Sequence, residues 1–227
     1  KKLKGTKLLT VFNPLGYERT ELANFTTNSN YVMLYDSEGE IVEKAEMYVE
    51  YLVQYTGGSI DTNQIQNIVV FEAKFTPLSL KKYFYKELKQ ESDCSGQCVK
   101  IIKTQTPNGD TDIMIENSHI EIVIKRGELI SSYKDKLSEI FIDMPTRMHT
   151  YYGQKGQTTS GLYIFNPTKK SQHRKLTLQV RYLQHGDLVS TVHSFYKLSG
   201  ISTSVSQSVT IHKCSDIGLQ RSVRVTT

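Results

Sequence analysis

Apolar residues in this chain recur at alternate positions, or in short unbroken runs, far more often than at helical spacing. Lys7 to Asn13 (KLLTVFN) reads as a buried strand, stopped by the turn chemistry of Pro14-Leu15-Gly16. Tyr31 to Tyr35 is a second apolar run, and Asp36-Ser37-Glu38-Gly39 turns it back into Glu40-Ile41-Val42 as a hairpin. Met47 to Tyr55 alternates imperfectly up to Gly57-Gly58. Ile68 to Phe75 is the next strand, and beyond Pro77 the segment Lys81 to Leu88 alternates well enough to be its partner.

The pattern then breaks. Gln90 to Asp112 holds few large apolar residues apart from Val99 to Ile102, and carries Pro107-Asn108-Gly109-Asp110. Alternation resumes at Ile113-Met114-Ile115 and His119 to Lys125, turns at Arg126-Gly127-Glu128, and returns antiparallel through Leu129 to Lys136. Leu162 to Phe165, Leu176 to Tyr182, Val205 to His212 and Gln220 to Thr227 complete the strands. No capped helix of three turns and no internal repeat is found. The expected organisation is therefore all-β: a first sandwich over residues 1–90, a linker over 91–112, and the beginning of a second sandwich over 113–227. A strand running to Thr227 predicts an edge that something else must pair.

Composition supports sheets. The 227 residues include 14 Tyr and 8 Phe but no Trp, rings suited to sheets with one wet face. No apolar run approaches the roughly 18 residues of a membrane helix. Lys1-Lys2-Leu3-Lys4 has no signal-peptide core behind it, which leaves open what precedes residue 1. The net charge of +5 is dispersed, so neither a basic stripe nor an RNA-binding motif argues for nucleic acid. Cys94 and Cys98 bracket Ser95-Gly96-Gln97, fitting a short disulfide loop in an extracytosolic protein, two free thiols, or half of a metal site for which no second ligand pair of suitable spacing follows, while Cys214 stands alone. Asn24-Phe25-Thr26 is an N-glycosylation sequon and agrees with the secretory pathway, lysosomal or extracellular.

Catalytic motifs are missing from the spacing. The six His, at 119, 149, 173, 185, 193 and 212, show no H-x-x-x-H arrangement. Thr159-Ser160-Gly161 lacks the first Gly of a nucleophile elbow, and Gly57-Gly58 opens no phosphate-binding helix.

Four stretches, in one order, carry a resemblance. Thr10 to Arg19 (TVFNPLGYER) is similar to a V-x-N-P-L strand and turn. Phe75 to Tyr83 (FTPLSLKKY) is similar to P-P-L-G-x-x-x-Y, with Ser79 where that pattern has Gly. Glu116-Asn117 with Gly127 to Lys136 is similar to an E-N strand and a G-x-L-x-S-I-Y-D-K return. Tyr152-Gly153 through Ser160-Gly161-Leu162-Tyr163-Ile164-Phe165-Asn166-Pro167 is similar to S-G-A-Y-x-F-x-P. Together they resemble the glycoside hydrolase family 38 α-mannosidases.

That resemblance implies a small β-sandwich followed by the first part of a large antiparallel β-sandwich, a galactose-mutarotase-like supersandwich. It implies hydrolysis of terminal α-mannosyl residues with retention, by a nucleophilic Asp and a zinc ion. Both would belong to an N-terminal α/β domain that no stretch here resembles, so the chain would scaffold and rim a site completed by that partner. By the same resemblance, Lys155 aligns with a basic loop residue that reaches the sugar, on a loop one residue shorter here, and Tyr152 could stack on a sugar face. Mannose-containing glycans are the implied ligand, and a homo-oligomer is left open. The alternative is a catalytically inactive carbohydrate-binding or assembly module built on the same sandwich.

Overall fold

A computed structural model describes residues 5–51, 54–56, 59–61, 65–108, 111–126, 128–144, 148–150, 172–200, 204–213 and 223–226. Among them the only helical element is a single 3-10 turn, Glu91–Cys94. Everything else is strand and turn, as the alternation predicts.

The first half contains β1 (Lys7–Phe12), β2 (Arg19–Thr27), β3 (Tyr31–Tyr35), β4 (Ala45–Tyr51), β5 (Gln54–Thr56), β6 (Ser59–Asp61), β7 (Ile65–Phe75), β8 (Leu80–Leu88) and β9 (Lys100–Ile101). A sheet ordered β1-β8-β3 faces one ordered β2-β7-β4-β9, and β5 pairs with β6. Between the two sheets lie Val32, Leu34, Met47, Val69, Phe71, Phe75 and Tyr83. Strand β7 also buries Ile68 and Val70 on its opposite face. Burial on both sides explains why I-V-V-F is a continuous apolar run.

One expectation fails here. Lys81–Leu88 is not the partner of Ile68–Phe75, because β7 pairs with β2 and β4 while β8 pairs with β1 and β3. The turn between them carries the chain from one sheet to the other. Asn13, fully buried, fastens that arch: its side-chain Nδ2 donates to the carbonyls of Tyr17 at 3.0 Å and Thr76 at 2.9 Å, and its Oδ1 accepts from Leu15 N. The left-handed residue of the arch is Leu78, at φ 47°, so Ser79 needs no glycine freedom. The Tyr31–Tyr35 hairpin is present as a bridge between Tyr35 and Ile41, closed by Asp36 Oδ1 accepting three backbone N–H bonds.

Residues 91–112 contribute to both halves. Strand β9 runs parallel to β4, and β10 (Thr104–Gln105) pairs with a strand of the second half. That half contains β11 (Ile113–Glu116), β12 (Ile120–Ile124), β13 (Ser132–Asp135), β14 (Phe141–Asp143), β15 (Met148–Thr150), β16 (Gln172–Arg174), β17 (Leu176–His185), β18 (Val189–Leu198), β19 (Ser204–His212) and β20 (Val223–Thr226). The order β11-β12-β13-β14 faces β10-β17-β18-β19-β20, around Ile113, Ile115, Ile120, Ile122, Ile124, Val192, Val209 and Ile211. These are sandwiches and not barrels.

Arg181 locks the two sheets together. Its buried guanidinium donates to Ser194 Oγ at 3.0 Å, to the carbonyls of Thr111, Ile124 and Lys125, and to the Tyr196 hydroxyl, all neutral oxygens. Strand β18 is hidden from the sequence pattern because it is buried on both faces and keeps its polar side chains satisfied there. Val192, Tyr196 and Leu198 face the second sandwich, while Val189 faces the first half, and Thr191 hydrogen-bonds Thr210 at 2.9 Å.

Candidate functional site

The chemistry-bearing residues named from sequence do not converge among the described residues. Lys155 and Tyr152, together with the Leu162–Phe165 strand, lie outside the described residues. What is described is the base from which that segment leaves: β15 and β16 pair antiparallel with His149 opposite His173.

Cys94 and Cys98 form a disulfide with Cα atoms 5.1 Å apart. Gly96, at φ 79°, and Ser95, at φ 49°, supply the left-handed turn inside this small loop. Cys94 is buried, and Val99 N donates to Val32 O at 2.8 Å, so the bridge sits where the chain is pinned before entering β9. Asn24 and Thr26 are both exposed on β2, an edge strand of its sheet, while Phe25 between them turns inward against Phe71 and Tyr85. The sequon is thus displayed on the surface.

The family-like stretches spend their polar groups on the fold. Besides the bonds of the Asn13 side chain, its backbone N donates to Ser79 O and Leu78 N donates to Leu15 O, both at 2.9 Å, so the first two stretches bind each other directly. In the third, Asn117 Oδ1 accepts from His119 N and Ile120 N at 2.8 Å and its Nδ2 donates to His212 O. Lys136 Nζ donates to Glu116 Oε2 and to Asn117 O, joining the two ends of that stretch.

The densest polar arrangement lies at the junction of the two halves. Glu46 on β4 is buried, and its Oε1 and Oε2 accept from the backbone N–H groups of Asp187 at 2.7 Å and Leu188 at 2.8 Å, in the turn joining β17 to β18. Gly186 leaves room for that carboxylate, since a Cβ there would collide with Glu46 Oε2 and Ile102. Gln184 continues the seam by accepting from Val49 N and donating to Thr104 Oγ1, both at 2.9 Å. Beside it, the Tyr51 ring meets Tyr182, His193 and Phe195. Burial pushes the His193 imidazole down to about 4, partly opposed by a backbone hydrogen bond with Val49. Burial pushes the Tyr51 phenol up, opposed by its hydrogen bond with Thr104. Partners here are separated by up to 142 residues, so sequence spacing gave no signal beyond the Gly186-Asp187 turn. This seam is structural.

A polar cleft of about 420 Å³ opens at the end of the first sandwich, lined by Asn28, Ser29, Asn30, Tyr31, Glu87, Leu88 and Lys89. Its carboxylate is committed already. Glu87 Oε2 accepts from Lys7 and Oε1 from Thr27, and these bonds, the Lys7 one first, hold its carboxyl below the usual range. A general acid needs the opposite shift. Nor do the described residues fit a catalytic zinc ion, which takes three convergent protein ligands: among them no three His, Cys, Asp or Glu side chains cluster. No helix among the described residues is long and apolar enough to cross a membrane.

No family model matches the chain. It is similar to Alpha-mannosidase 2 of Spodoptera frugiperda, with 25% identity over 187 residues, covering 75% of this chain and 16% of that protein. The fold is similar to the crystal structure of a protein in the glycosyl hydrolase family 38 from Enterococcus faecalis, at TM-score 0.50 and 12% identity, covering 93% of this chain and 30% of that one. The chain thus spans less than a third of either protein. The sequence likeness is to an α-mannosidase, and the likeness of fold is to a glycosyl hydrolase family 38 protein.

Proposed function

We propose, with that family 38 relationship as the premise, that the chain is the non-catalytic β-sandwich portion of a zinc-dependent retaining α-mannosidase acting on terminal α-mannosyl residues of glycans. The observation that supports it is the use of Asn13, Asn117 and Lys136: the residues that carry the likeness are spent on holding turns and sheets together, as a scaffold requires. In this reading the nucleophile and the zinc ligands come from an N-terminal α/β domain of the same enzyme. No step through zinc is assigned to the described residues.

The chain's own contribution is to carry the 151–171 segment to the rim of the sugar site. There Lys155 places one ammonium near sugar hydroxyls and Tyr152 offers a ring face. The docking face for the α/β domain is the outer edge of the second sandwich. Ile140, Phe141, Ile142 and Met144 on and beside β14 are all exposed, with Leu137 close in sequence, an apolar strip of the kind that marks interaction sites. The disulfide and the displayed Asn24 sequon support residence in the secretory pathway, with a glycan at Asn24.

Lys155→Ala in the longer polypeptide tests the rim assignment. A fall in kcat/KM of about tenfold is expected, against an unchanged melting temperature. An unchanged kcat/KM returns Lys155 to the solvated surface.

A further inference from the structure

We infer that His149 and His173 form a two-histidine site for a borderline divalent transition metal, such as Zn²⁺, Ni²⁺ or Cu²⁺, clasping the base of the 151–171 segment. The two residues are direct cross-strand partners in the β15–β16 pair, so their side chains leave the same face of the ribbon. Both are exposed, which gives a metal ion and its remaining water ligands open access. Their ring centres are 5.5 Å apart, with the planes at 60°.

That separation suits chelation. With a metal–nitrogen bond of about 2.0–2.1 Å and roughly 1.2 Å more to each ring centre, two imidazoles at a tetrahedral angle place their centres about 5.2 Å apart. The structure is within a few tenths of an ångström of that, a difference a χ2 adjustment covers. An edge-on contact of two neutral rings has the same spacing, so metal titration separates the two, and among the described residues no carboxylate or thiolate clusters with the pair to complete a closed structural site. Two protein nitrogens with water in the other positions is the coordination the residues support, and this ligand type favours the later first-row ions.

The consequence concerns the segment between the strands. Thr150 and Gln172 are also cross-strand partners, the next pair on the side of residues 151–171. A metal held by the neighbouring pair would therefore fix the separation of the two ends from which residues 151–171 emerge. The inference rests on the described hairpin alone and is independent of the mannosidase reading.

Titration of the full chain with ZnCl₂ and with NiCl₂ by calorimetry at neutral pH tests it, alongside His149→Gln and His173→Gln variants and their melting curves. Expected are one ion per chain and a metal-dependent rise in Tm. Each single variant should weaken that binding roughly a hundredfold, the loss of the chelate advantage, while leaving the metal-free melt unchanged. Wild-type stoichiometry and affinity in both variants, or no saturable binding by the wild type, would overturn the assignment.

Discussion

Tyr51 lies face to face with Tyr182, their ring centres 4.4 Å apart and their planes 11° from parallel, so that a residue of the first sandwich and one of the second share a single stack. His193 and Phe195 close edge-on around Tyr51. The two halves are therefore joined by packed rings as well as by the chain. Tyr51→Ala should cost about 2 kcal/mol in urea unfolding, and Tyr51→Phe, which loses only the Thr104 hydrogen bond, about 1 kcal/mol. Equal losses would mean that the hydroxyl and not the stack matters.

Glu46 gives the same junction its polar lock. A carboxamide can accept at one oxygen only, so Glu46→Gln should leave Asp187 N–H or Leu188 N–H facing an NH₂ group, at a cost of about 2 kcal/mol. Gly186→Ala should also destabilise, because its methyl would strike that carboxylate and Ile102. Wild-type denaturation midpoints for both variants would contradict this geometry.

Acid should loosen the junction through His193. Its folded value of about 4 lies below the usual imidazole value near 6.5. Above pH 6.5 both folded and unfolded forms are neutral, and the stability is fully present. Between 6.5 and 4 only the unfolded chain takes up the proton, so stability falls with pH, by about 3 kcal/mol in all. Among the described residues no charge offsets this; the ring's neighbours are Tyr51, Tyr182, Phe195, Thr191 and the Val49 backbone, with Ser208 across on β19. Unfolding free energies at pH 7 and pH 5 should differ by about 2 kcal/mol in the wild type, and by clearly less in His193→Gln. An identical pH slope in the variant would remove His193 from the account.

The Cys94–Cys98 bridge closes a loop with a sequence separation of only 4, and the loop-entropy relation gives such a small ring about 2 kcal/mol. Reduction should lower stability by that amount. Amide exchange at Val99 and Ile102, whose N–H groups bond to Val32 and Met47, should speed up before exchange in the β7 core. Uniform acceleration throughout the first sandwich would show that the bridge supports the whole unit.

Alternation made the all-β class readable because most strands have one face on a core, and Tyr31–Tyr35 is bounded in the structure as the sequence places it. Strand β18 escaped the same reading. V-S-T-V-H-S-F-Y carries polar residues that are buried between two layers and satisfied by partners far along the chain, which no local period can announce. Strand β2 (RTELANFTT) was missed for a milder reason, since as an edge strand its face toward the second half is only partly covered and stays mixed. The pairing of β7 with β8 was misread because a sheet-crossing arch and a hairpin use the same Pro-containing turn residues. The sequon and the Cys pair were legible as local motifs. Glu46, Gln184 and His193 were not, because their roles exist only once β4 meets β17 and β18.

Hydrolysis of 4-nitrophenyl α-mannoside, measured on residues 1–227 alone and on the native polypeptide that carries them, tests the scaffold reading most directly. The account predicts no turnover by the isolated chain and turnover with retained configuration by the native polypeptide. Comparable turnover by the isolated chain, or none by the native polypeptide, would contradict it.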